Sequence, residues 1–537
     1  MISLPSLRIL PKTIIVFLSL IISVFTFENP TVNLDYGVFQ GKYNAQYNIS
    51  YFRKIPFAAS TAGQNRFRAP QPPEPILGDP YDTNQSFDMC VQRTVNGSED
   101  CLYLGLYSRP WTDPNAKRPV LVTFYGGAFI QGSASFTIPP PAYPVLNVSQ
   151  ANDFIVVYPN YRLNAFGFLP GKQVKESPTA DLNPGLLDQQ AALAWVHKYI
   201  SQFGGDPQNV TIWGQSAGAG SVVAQVIANG GNTTPRLFNK AMASSPFWPK
   251  TYRYDSSEAE VIYNQLVSLA GCSKSRDTLA CLKSIDVQTI RNASLIIDAS
   301  HTYNASSYTW APVIDDSFIR EPLTEAVRGR RTNADLGFTT YNLHEGENFI
   351  PPGLAGSTSA GGFDSSTASF GDWLSGFLPD FSTPLLREVK TLYPDMGEAE
   401  EISYNATYQR AGLIYRDVVL ACPAYWVARS ARSDGWVGEY TISPAKHGSD
   451  TIYWNQVNAV QKSQPLIYEG YAGALASFVQ TGNPNAHKVT DGSVPGVPEV
   501  STNEEFVVEA DCFQNFPIKM LELRCAFWEA HGTSIPM

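Results

Sequence analysis

The sequence contains no block of basic residues. Its 537 residues include 48 Asp and Glu against 38 Lys and Arg, so the formal charge is −10 and the two signs are well mixed. Nucleic-acid-binding proteins concentrate Lys and Arg on one face or segment to neutralise phosphates. The composition therefore argues against a nucleic-acid partner and favours an acidic, soluble surface.

Long hydrophobic runs are also scarce, and only the N-terminus carries one. Arg8 and Lys12 precede the apolar stretch 14–25, which is shorter than the roughly 20 residues of a membrane span. A basic segment followed by a short apolar one is typical of a secretory signal peptide. Residues 1–27 are predicted to be such a peptide, with Val24-x-Thr26 as the best cleavage motif. An uncleaved signal anchor is the alternative.

Two further features agree with export. No second long apolar run follows and no GPI-type tail is present, so a secreted, extracellular protein without a membrane span is expected. Nine Asn-x-Ser/Thr sequons occur, at Asn48, Asn84, Asn96, Asn147, Asn209, Asn232, Asn292, Asn304 and Asn405.

The seven cysteines permit three disulfides with one thiol left over, as suits an oxidising compartment. Two pairs lie close in sequence, Cys90 with Cys101 and Cys272 with Cys281. The remaining three, Cys422, Cys512 and Cys525, leave one longer bridge.

Strand-like and helical segments alternate along the chain. Apolar strands are predicted at 119–124, 154–158, 209–213, 240–245, 336–341 and 436–442, with a helix at 186–203. Helices are expected to fill 373–430, and the Gly/Ser-rich segment 353–368 is predicted to be a surface loop. Nearly continuous apolar strands between helices indicate an α/β fold with a mostly parallel sheet covered on both faces. Because no repeat or composition break interrupts residues 28–537, one catalytic domain is the simplest interpretation.

Residues 214–218, Gly-Gln-Ser-Ala-Gly, fit the nucleophile-elbow pattern Gly-x-Ser-x-Gly. A β-branched and aromatic run precedes the motif and a helix-length run follows it, which is the strand–turn–helix context that the motif requires. Larger side chains at Gly214 and Gly218 would collide with backbone in so sharp a turn. Ser216 is therefore the candidate nucleophile.

A serine hydroxyl becomes a good nucleophile only when a base takes its proton. In proteins with a nucleophile elbow of this kind, the catalytic residues follow along the chain in the order Ser, acid, His. His447 follows a strand and precedes a Gly turn, whereas His487 lies in a polar loop and His531 among the last seven residues. His447 is thus predicted to be the base. Glu345 follows a strand and is the preferred acid, and its rivals are Asp315, Asp316 and Glu347.

An oxyanion formed during acyl transfer needs preorganised N–H donors. The N–H of Ala217, directly after the nucleophile, is predicted to be one. The others are expected in the small-residue loop Gly126-Gly127-Ala128, where a backbone can approach a ligand closely.

Several longer motifs resemble those of the type-B carboxylesterases, a family of secreted esterases, lipases and cholinesterases. The segment 203–219 around the serine resembles one signature, and Glu99-Asp100-Cys101-Leu102-Tyr103-Leu104 resembles a second. The segments 160–163, 185–189 and 524–528 also match, so the resemblance covers about residue 31 to the C-terminus. It implies an α/β-hydrolase fold and supports Glu345 as the acid, although His344 stands where the family usually has Asp.

The resemblance also assigns roles to other residues. It implies oxyanion donors at Gly127, Ala128 and Ala217, although the family usually has Gly where Ala128 stands. It implies the disulfides Cys90–Cys101, Cys272–Cys281 and Cys422–Cys525, with Cys512 free. Arg66 and Glu99 would form a structural ion pair.

The resulting hypothesis is a secreted serine carboxylesterase that hydrolyses small-molecule esters through an acyl-enzyme, without metal or organic cofactor. The alternatives are a lipase for longer acylglycerols and a catalytically silent adhesion protein. Only ten residues separate Cys90 from Cys101 and none is Trp, so neither a long lipase flap nor a choline-stacking Trp fits there. Gln215 replaces the cholinesterase Glu before the serine. Phe129, Phe247 and Trp248 are candidates either for the acyl side of the site or for core packing.

Overall fold

A computed structural model describes residues 29–537 except 114, 301–308, 357–361, 395–396, 400–401, 405, 491, 493 and 536. The predicted signal peptide 1–27 therefore lies outside the described residues, as do the sequons Asn304 and Asn405. Across the described part of the chain, no helix has both the length and the hydropathy needed to cross a bilayer.

An eleven-stranded sheet organises the chain. In chain order its strands are β1 (Lys42–Asn44), β2 (Ile49–Pro56), β3 (Tyr103–Ser108), β4 (Arg118–Phe124), β5 (Ile155–Pro159), β6 (Gly205–Gln215), β7 (Lys240–Ser244), β8 (Leu336–Asn342), β9 (Asp434–Tyr440), β10 (Glu504–Val508) and β11 (Phe513–Pro517). In space the order is β11-β10-β9-β8-β7-β6-β4-β5-β3-β2-β1. The strands from β5 to β10 in this arrangement are parallel, and antiparallel strands flank them.

Alternating side chains of the central strands enter two different hydrophobic cores, as the twofold period of a strand dictates. Val120 and Val122 of β4 pack into one core, and Leu121 between them packs into the other. Both faces of the sheet are therefore buried, which explains why these strands are apolar throughout. The result confirms the predicted α/β architecture.

Helices cover both faces. The first core includes residues of Pro184–Tyr199, Ala217–Gly231, Cys422–Ser430 and Lys519–Ala530, and the second includes residues of Tyr143–Asn147, Thr451–Trp454 and Pro465–Thr481. Further α-helices are Asn164–Phe168, Lys172–Lys175, Ser257–Leu269, Thr278–Ser284, Val287–Ser300, Leu323–Arg328, Thr367–Phe377, Thr383–Leu392, Thr407–Arg416 and Val460–Ser463. Short 3₁₀ turns lie at Gly63–Asn65, Ile200–Phe203, Glu345–Phe349, Pro352–Ala355 and Val500–Thr502.

The prediction that helices fill 373–430 is wrong at 397–404. A short antiparallel pair, Gly397–Ala399 with Ile402–Tyr404, interrupts the helices there, whereas Asp417–Ala421 continues them as a π-helical turn. A second small sheet joins Thr31–Leu34, Gly37–Gln40 and Tyr81–Asp82. Neither the pair at 397–404 nor the terminal hairpin β10–β11 gave a clear pattern in the sequence.

Covalent and ionic cross-links lie where the family resemblance implies them. Disulfides join Cys90 to Cys101, Cys272 to Cys281 and Cys422 to Cys525, and Cys512 is a free thiol. The buried Arg66 guanidinium donates to both carboxylate oxygens of Glu99 at 2.7 Å. This fork-like geometry is the strong form of an ion pair.

Candidate active site

Ser216 occupies a strained turn between β6 and the helix Ala217–Gly231. Its backbone has φ 59° and ψ −128°, a conformation that non-glycine residues rarely adopt and that costs about 1–3 kcal/mol. Hydrogen bonds hold the turn: the Ser216 N–H donates to the Ser244 carbonyl, and the Ser216 carbonyl accepts from the N–H groups of Gly220 and Phe247. The serine is therefore fixed at the carboxyl end of the central strands.

The two glycines of the elbow are required by close packing. A Cβ atom at Gly214 would lie 2.2 Å from the Gly218 carbonyl carbon, and one at Gly218 would lie 2.1 Å from the Phe124 oxygen. Real Cβ atoms do not approach backbone so closely, so any larger residue would displace β4 or the helix. The steric reason predicted from the sequence applies at both positions.

A chain of hydrogen bonds links the three residues that the sequence singled out. The Ser216 Oγ lies 2.7 Å from His447 Nε2, and His447 Nδ1 lies 2.8 Å from Glu345 Oε2. Glu345 is fully buried, whereas Ser216 is 8 % exposed and the His447 side chain 13 % exposed. The carboxylate is thus screened from water, while the serine and the imidazole keep a small exposed fraction.

Asn342, which the sequence did not single out, holds the Glu345 carboxylate and connects it to a second buried carboxylate, Asp450. The Asn342 N–H donates to Glu345 Oε1 at 3.1 Å, and the Asn342 side chain donates to the Lys446 carbonyl and to Asp450 Oδ1. Asp450 is fully buried and also accepts hydrogen bonds from Trp454 Nε1 and the Tyr471 hydroxyl. Burial raises the pKa of Asp450, and the nearby Glu345 charge raises it further against the lowering effect of these hydrogen bonds.

Neighbouring loops hold the His447 backbone and ring in place. The His447 N–H donates to Asn348 Oδ1 at 3.1 Å, and the Phe349 ring meets the imidazole edge to face with centroids 4.9 Å apart. The amide nitrogen of Gln215 is 3.4 Å from His447 Nε2. Asn348 and Phe349 follow Glu345 by three and four residues. This short spacing in the sequence could have identified them as neighbours of His447.

The other carboxylates and histidines that the sequence offered as acid or base have different surroundings. Asp315 accepts from Asn183 and from the backbone of Ser317 and Ile319, and Asp316 pairs with Arg253. Glu347 lies between His344 and Lys446. His487 is exposed, and His531 packs on Phe381 and Phe527 beside the C-terminal helix.

The loop after β4 brings its backbone next to the nucleophile. A Cβ at Gly126 would lie 3.0 Å from the Ser216 Cβ, and Gly127, with φ 114°, leaves no room for a side chain because Gln131 O is 2.2 Å from its Cβ position. Ala128 adopts φ 56° despite its side chain. Ala217 is the first helical residue, so its N–H has no intrahelical acceptor.

Comparison with known proteins identifies the family of this chain. The carboxylesterase family profile matches residues 28–528. The chain belongs to the carboxylesterase family. Its relatives include carboxylesterase patB of Aspergillus clavatus, 28 % identical with 87 % of this chain and 82 % of the relative covered. Secreted lipase 4 of Gibberella zeae is 30 % identical, with coverages of 83 % and 80 %.

Solved structures have the same fold. Aspergillus niger EstA superposes with a TM-score of 0.81 at 26 % identity, covering 95 % of this chain and 99 % of its own. A PNB esterase superposes with a TM-score of 0.73 at 24 % identity, covering 93 % and 100 % of the two chains, and supports the fold alone. The resemblance seen in the sequence is confirmed, and the protein is an α/β-hydrolase of a family of carboxylic ester hydrolases.

The aromatic residues near the carboxylesterase motifs belong to the core. Phe129, Phe247 and Trp248 are fully buried. Phe129 packs on Phe168 with ring centroids 4.9 Å apart, and Phe247 stacks on Phe349 at 5.6 Å. All three side chains pack in the hydrophobic core, and Phe349, on which Phe247 stacks, also contacts the His447 imidazole. The interpretation that they line the acyl side stays a prediction.

Proposed function

We propose that the protein is a secreted serine carboxylesterase in which Ser216, Glu345 and His447 act as nucleophile, acid and base. One observation carries the proposal: the unbroken hydrogen-bond chain from Ser216 Oγ through both imidazole nitrogens to Glu345 Oε2. A nucleophile bonded to a base that a buried carboxylate orients is the arrangement required for acyl transfer.

In the first half-reaction His447 Nε2 takes the proton of Ser216 as the oxygen attacks the ester carbonyl. Glu345, bonded at Nδ1, holds the ring in the required tautomer and stabilises the imidazolium. The imidazolium then gives its proton to the leaving alcohol, and the acyl group remains on Ser216. In the second half-reaction water takes the place of the alcohol, and His447 repeats both proton transfers to release the acid.

The developing oxyanion would be bound by the N–H groups of Gly127, Ala128 and Ala217. Support comes from the close approach of this loop to Ser216 and from the position of Ala217 at a helix N-terminus, where the helix dipole favours negative charge. The positive φ of Ala128 fits a loop held in one shape before substrate arrives.

The direct test compares Ser216→Ala with Ser245→Ala on p-nitrophenyl esters of increasing acyl length. Ser245 is a buried serine directly after β7 that takes no part in the hydrogen-bond chain. We expect Ser216→Ala to lose at least about 10³-fold in kcat/KM and Ser245→Ala to stay active. A serine-directed phosphonate should add its mass to wild type and to Ser245→Ala but not to Ser216→Ala. Full activity in Ser216→Ala would refute the proposed nucleophile, whereas a wild type without esterase activity would leave the silent adhesion protein as the better hypothesis.

Secretion and a single catalytic unit over 28–537 form part of the same proposal. Relatives named as secreted lipases and the exposed sequons Asn48, Asn84 and Asn96 support export. Expression in a eukaryotic secretory host, followed by N-terminal sequencing of the protein in the medium, tests it. Protein that stays in the membrane fraction with its first residues intact would favour a signal anchor.

The short Cys90–Cys101 loop favours an esterase over a lid-gated lipase. Only ten residues lie between the bridged Cys90 and Cys101, which leaves no room for a long flap over the site. We expect smooth saturation with short-chain esters across their solubility limit. A sharp rise in rate on emulsified triglyceride would contradict this and favour the lipase alternative.

A further inference from the structure

The loop that follows β4, residues 126–132, has a strained backbone. Gly127 and Gly132 have φ of 114° and 124°, and the non-glycine residues Ala128 and Phe129 have φ of 56° and 61°. Such conformations persist only where the surrounding structure holds them. The contacts made to this loop therefore determine where its N–H groups point, including those proposed to bind the oxyanion.

The Gly127 carbonyl sets the direction of the Ala128 N–H. Both groups belong to one planar, trans peptide unit, so they point in opposite directions. The carbonyl accepts hydrogen bonds from the N–H groups of Ile130 and Gln131, each at 3.1 Å. Whatever fixes the end of the loop therefore also fixes this proposed oxyanion donor.

Gln92, from the Cys90–Cys101 loop, holds Gly132 by both of its backbone groups. The Gln92 Nε2 donates to the Gly132 carbonyl at 2.9 Å, and Gln92 Oε1 accepts from the Gly132 N–H at 3.0 Å. The same carboxamide donates to the Cys90 carbonyl and accepts from the Thr94 hydroxyl. Gln92 is 1 % exposed and uses both donor and both acceptor positions of its side chain, so the carboxamide has a single orientation.

Further contacts carry this restraint along the loop. The Arg93 N–H donates to the Ile130 carbonyl at 3.0 Å, and the Arg93 guanidinium donates twice to Gln131 Oε1. Gly132 in turn lies against the start of the loop, since a Cβ there would be 2.5 Å from the Gly126 oxygen. Gln92 and Arg93 thus hold the three residues that fix the Gly127 carbonyl and the base of the loop.

The Cys90–Cys101 loop is itself anchored, so it can act as a fixed support. Its disulfide closes the two ends. Arg291, from a neighbouring helix, donates to the carbonyls of Gln92, Arg93 and Val95. Because the loop is held on this side as well, it cannot shift freely with the loop after β4.

We propose that Gln92 is a positioning residue for the oxyanion hole. It acts through Gly132 and residues 130–131 on the peptide unit that carries the Ala128 N–H. The inference rests on the proposed esterase function and adds to it a residue outside the triad and the donors. Oxyanion donors bind most strongly in the transition state, so loss of the Gln92 carboxamide should lower kcat and leave KM nearly unchanged.

The test compares Gln92→Met with Asn485→Leu on p-nitrophenyl butyrate. Each change removes a carboxamide and keeps the approximate size of the side chain. Asn485 is the matched control because its carboxamide also bonds both the N–H and the carbonyl of one residue, Val497, on a loop that contacts neither the triad nor the loop after β4. We expect Gln92→Met to lower kcat by about tenfold to 100-fold with KM within about threefold of wild type, and Asn485→Leu to change neither.

A second measurement separates positioning from folding. An alkyl trifluoromethyl ketone adds reversibly to Ser216 and places an oxyanion in the hole, whereas the corresponding methyl ketone binds without adding. In Gln92→Met the inhibition constant of the trifluoromethyl ketone should rise in parallel with the fall in kcat, and that of the methyl ketone should stay unchanged. A merely structural role would reduce only the amount of protein that the phosphonate labels, and the remaining enzyme would keep the wild-type constants.

If Gln92→Met does not fold, Arg93→Met repeats both measurements. Arg93 is exposed, and the change removes only its guanidinium bonds to Gln131. Exposed bonds of this kind contribute little, so we expect kcat to fall by about twofold to fivefold, with the same selective weakening of the trifluoromethyl ketone.

Several results would overturn the inference while leaving the esterase proposal intact. Wild-type kcat and ketone affinity in folded Gln92→Met would do so, as would an equal loss in Asn485→Leu. A rise in KM alone would assign Gln92 to substrate binding instead. A wild type that hydrolyses no ester and whose Ser216 the phosphonate does not label would remove the proposed function and the inference with it.

Discussion

Lys250 is a buried lysine. Replacing it should stabilise the protein at neutral pH and destabilise it at high pH. It lies 8 % exposed in the segment after β7, where Nζ donates to the Phe377 carbonyl and lies 5.0 Å from the centre of the Phe377 ring. Burial lowers the pKa of Lys250 from 10.5 to about 8, against a smaller raising effect of Asp380 and Glu258.

The difference between these pKa values corresponds to about 3 kcal/mol. Because the folded-state pKa lies below the unfolded value, the contribution of Lys250 to stability is fully present above pH 10.5 and is lost as pH falls through about 8. Lys250→Met removes this penalty but leaves the Phe377 carbonyl unpaired, at a cost of about 1–2 kcal/mol. We expect the variant to be more stable than wild type by about 1–2 kcal/mol at pH 7 and less stable by a similar amount above pH 10.5.

Urea unfolding of wild type and Lys250→Met at steps from pH 7 to pH 10.5 measures the difference directly. Other groups titrate identically in both proteins, so they cancel. Lys462→Met, which changes an exposed lysine on the helix Val460–Ser463, is the control and should give a difference independent of pH. A difference for Lys250→Met that is constant across this range would show that the buried amine is not destabilised by its surroundings, and the reasoning would fail.

Three further predictions concern the elbow, its neighbour and the longest disulfide. Gln215→Glu places a carboxylate beside Nε2 of His447 and should stabilise the protonated imidazole, so the acid limb of the kcat/KM–pH profile should move to higher pH; an unmoved limb would contradict the geometry. Gly218→Ala drives a Cβ to 2.1 Å from a β4 carbonyl oxygen and should cost about 1–3 kcal/mol in urea unfolding, together with esterase activity. Replacing Cys422 and Cys525 by Ala opens a loop of 103 residues and should cost about 4–5 kcal/mol, against about 2–3 kcal/mol for the bridge that spans nine residues.

The sequence predicted the elements whose cause is local. Short-range patterns predict the apolar strands, the helix before β6 and the elbow. Their bounds in the structure agree with the prediction to within a few residues. The exception is β6, which begins four residues before the predicted 209–213. Ser216 could be found because the close packing of the turn requires glycine at 214 and 218, and this requirement is visible within five residues of sequence. His447 needed only the order of residues along the chain and the position of a strand end.

Other features depend on contacts that no local pattern records. Asn342 supports Glu345 through its backbone N–H and reaches Asp450 through its side chain, but in the sequence it is an ordinary polar residue at a strand end. Asp450 is a buried carboxylate three residues after His447, and its donors come from the end of β8 and from two helices that are distant in sequence or hidden from any local pattern. The pair at 397–404 was missed because strands of three residues are too short for a period to emerge.

Register explains how residues so far apart in the chain meet at one site. Gln215, Ser244, Thr340 and Gly438 lie side by side across β6, β7, β8 and β9. All four strands are parallel, so the turns that carry the serine, the acid and the histidine leave the sheet at the same edge. The strands fix the hydrolytic arrangement, and they do not decide which ester it acts on. We expect that choice to fall to parts that border this edge without supporting it, such as the short Cys90–Cys101 loop, whose Arg93 N–H donates to the Ile130 carbonyl after β4. A change in this loop should alter the preferred ester while the triad geometry persists.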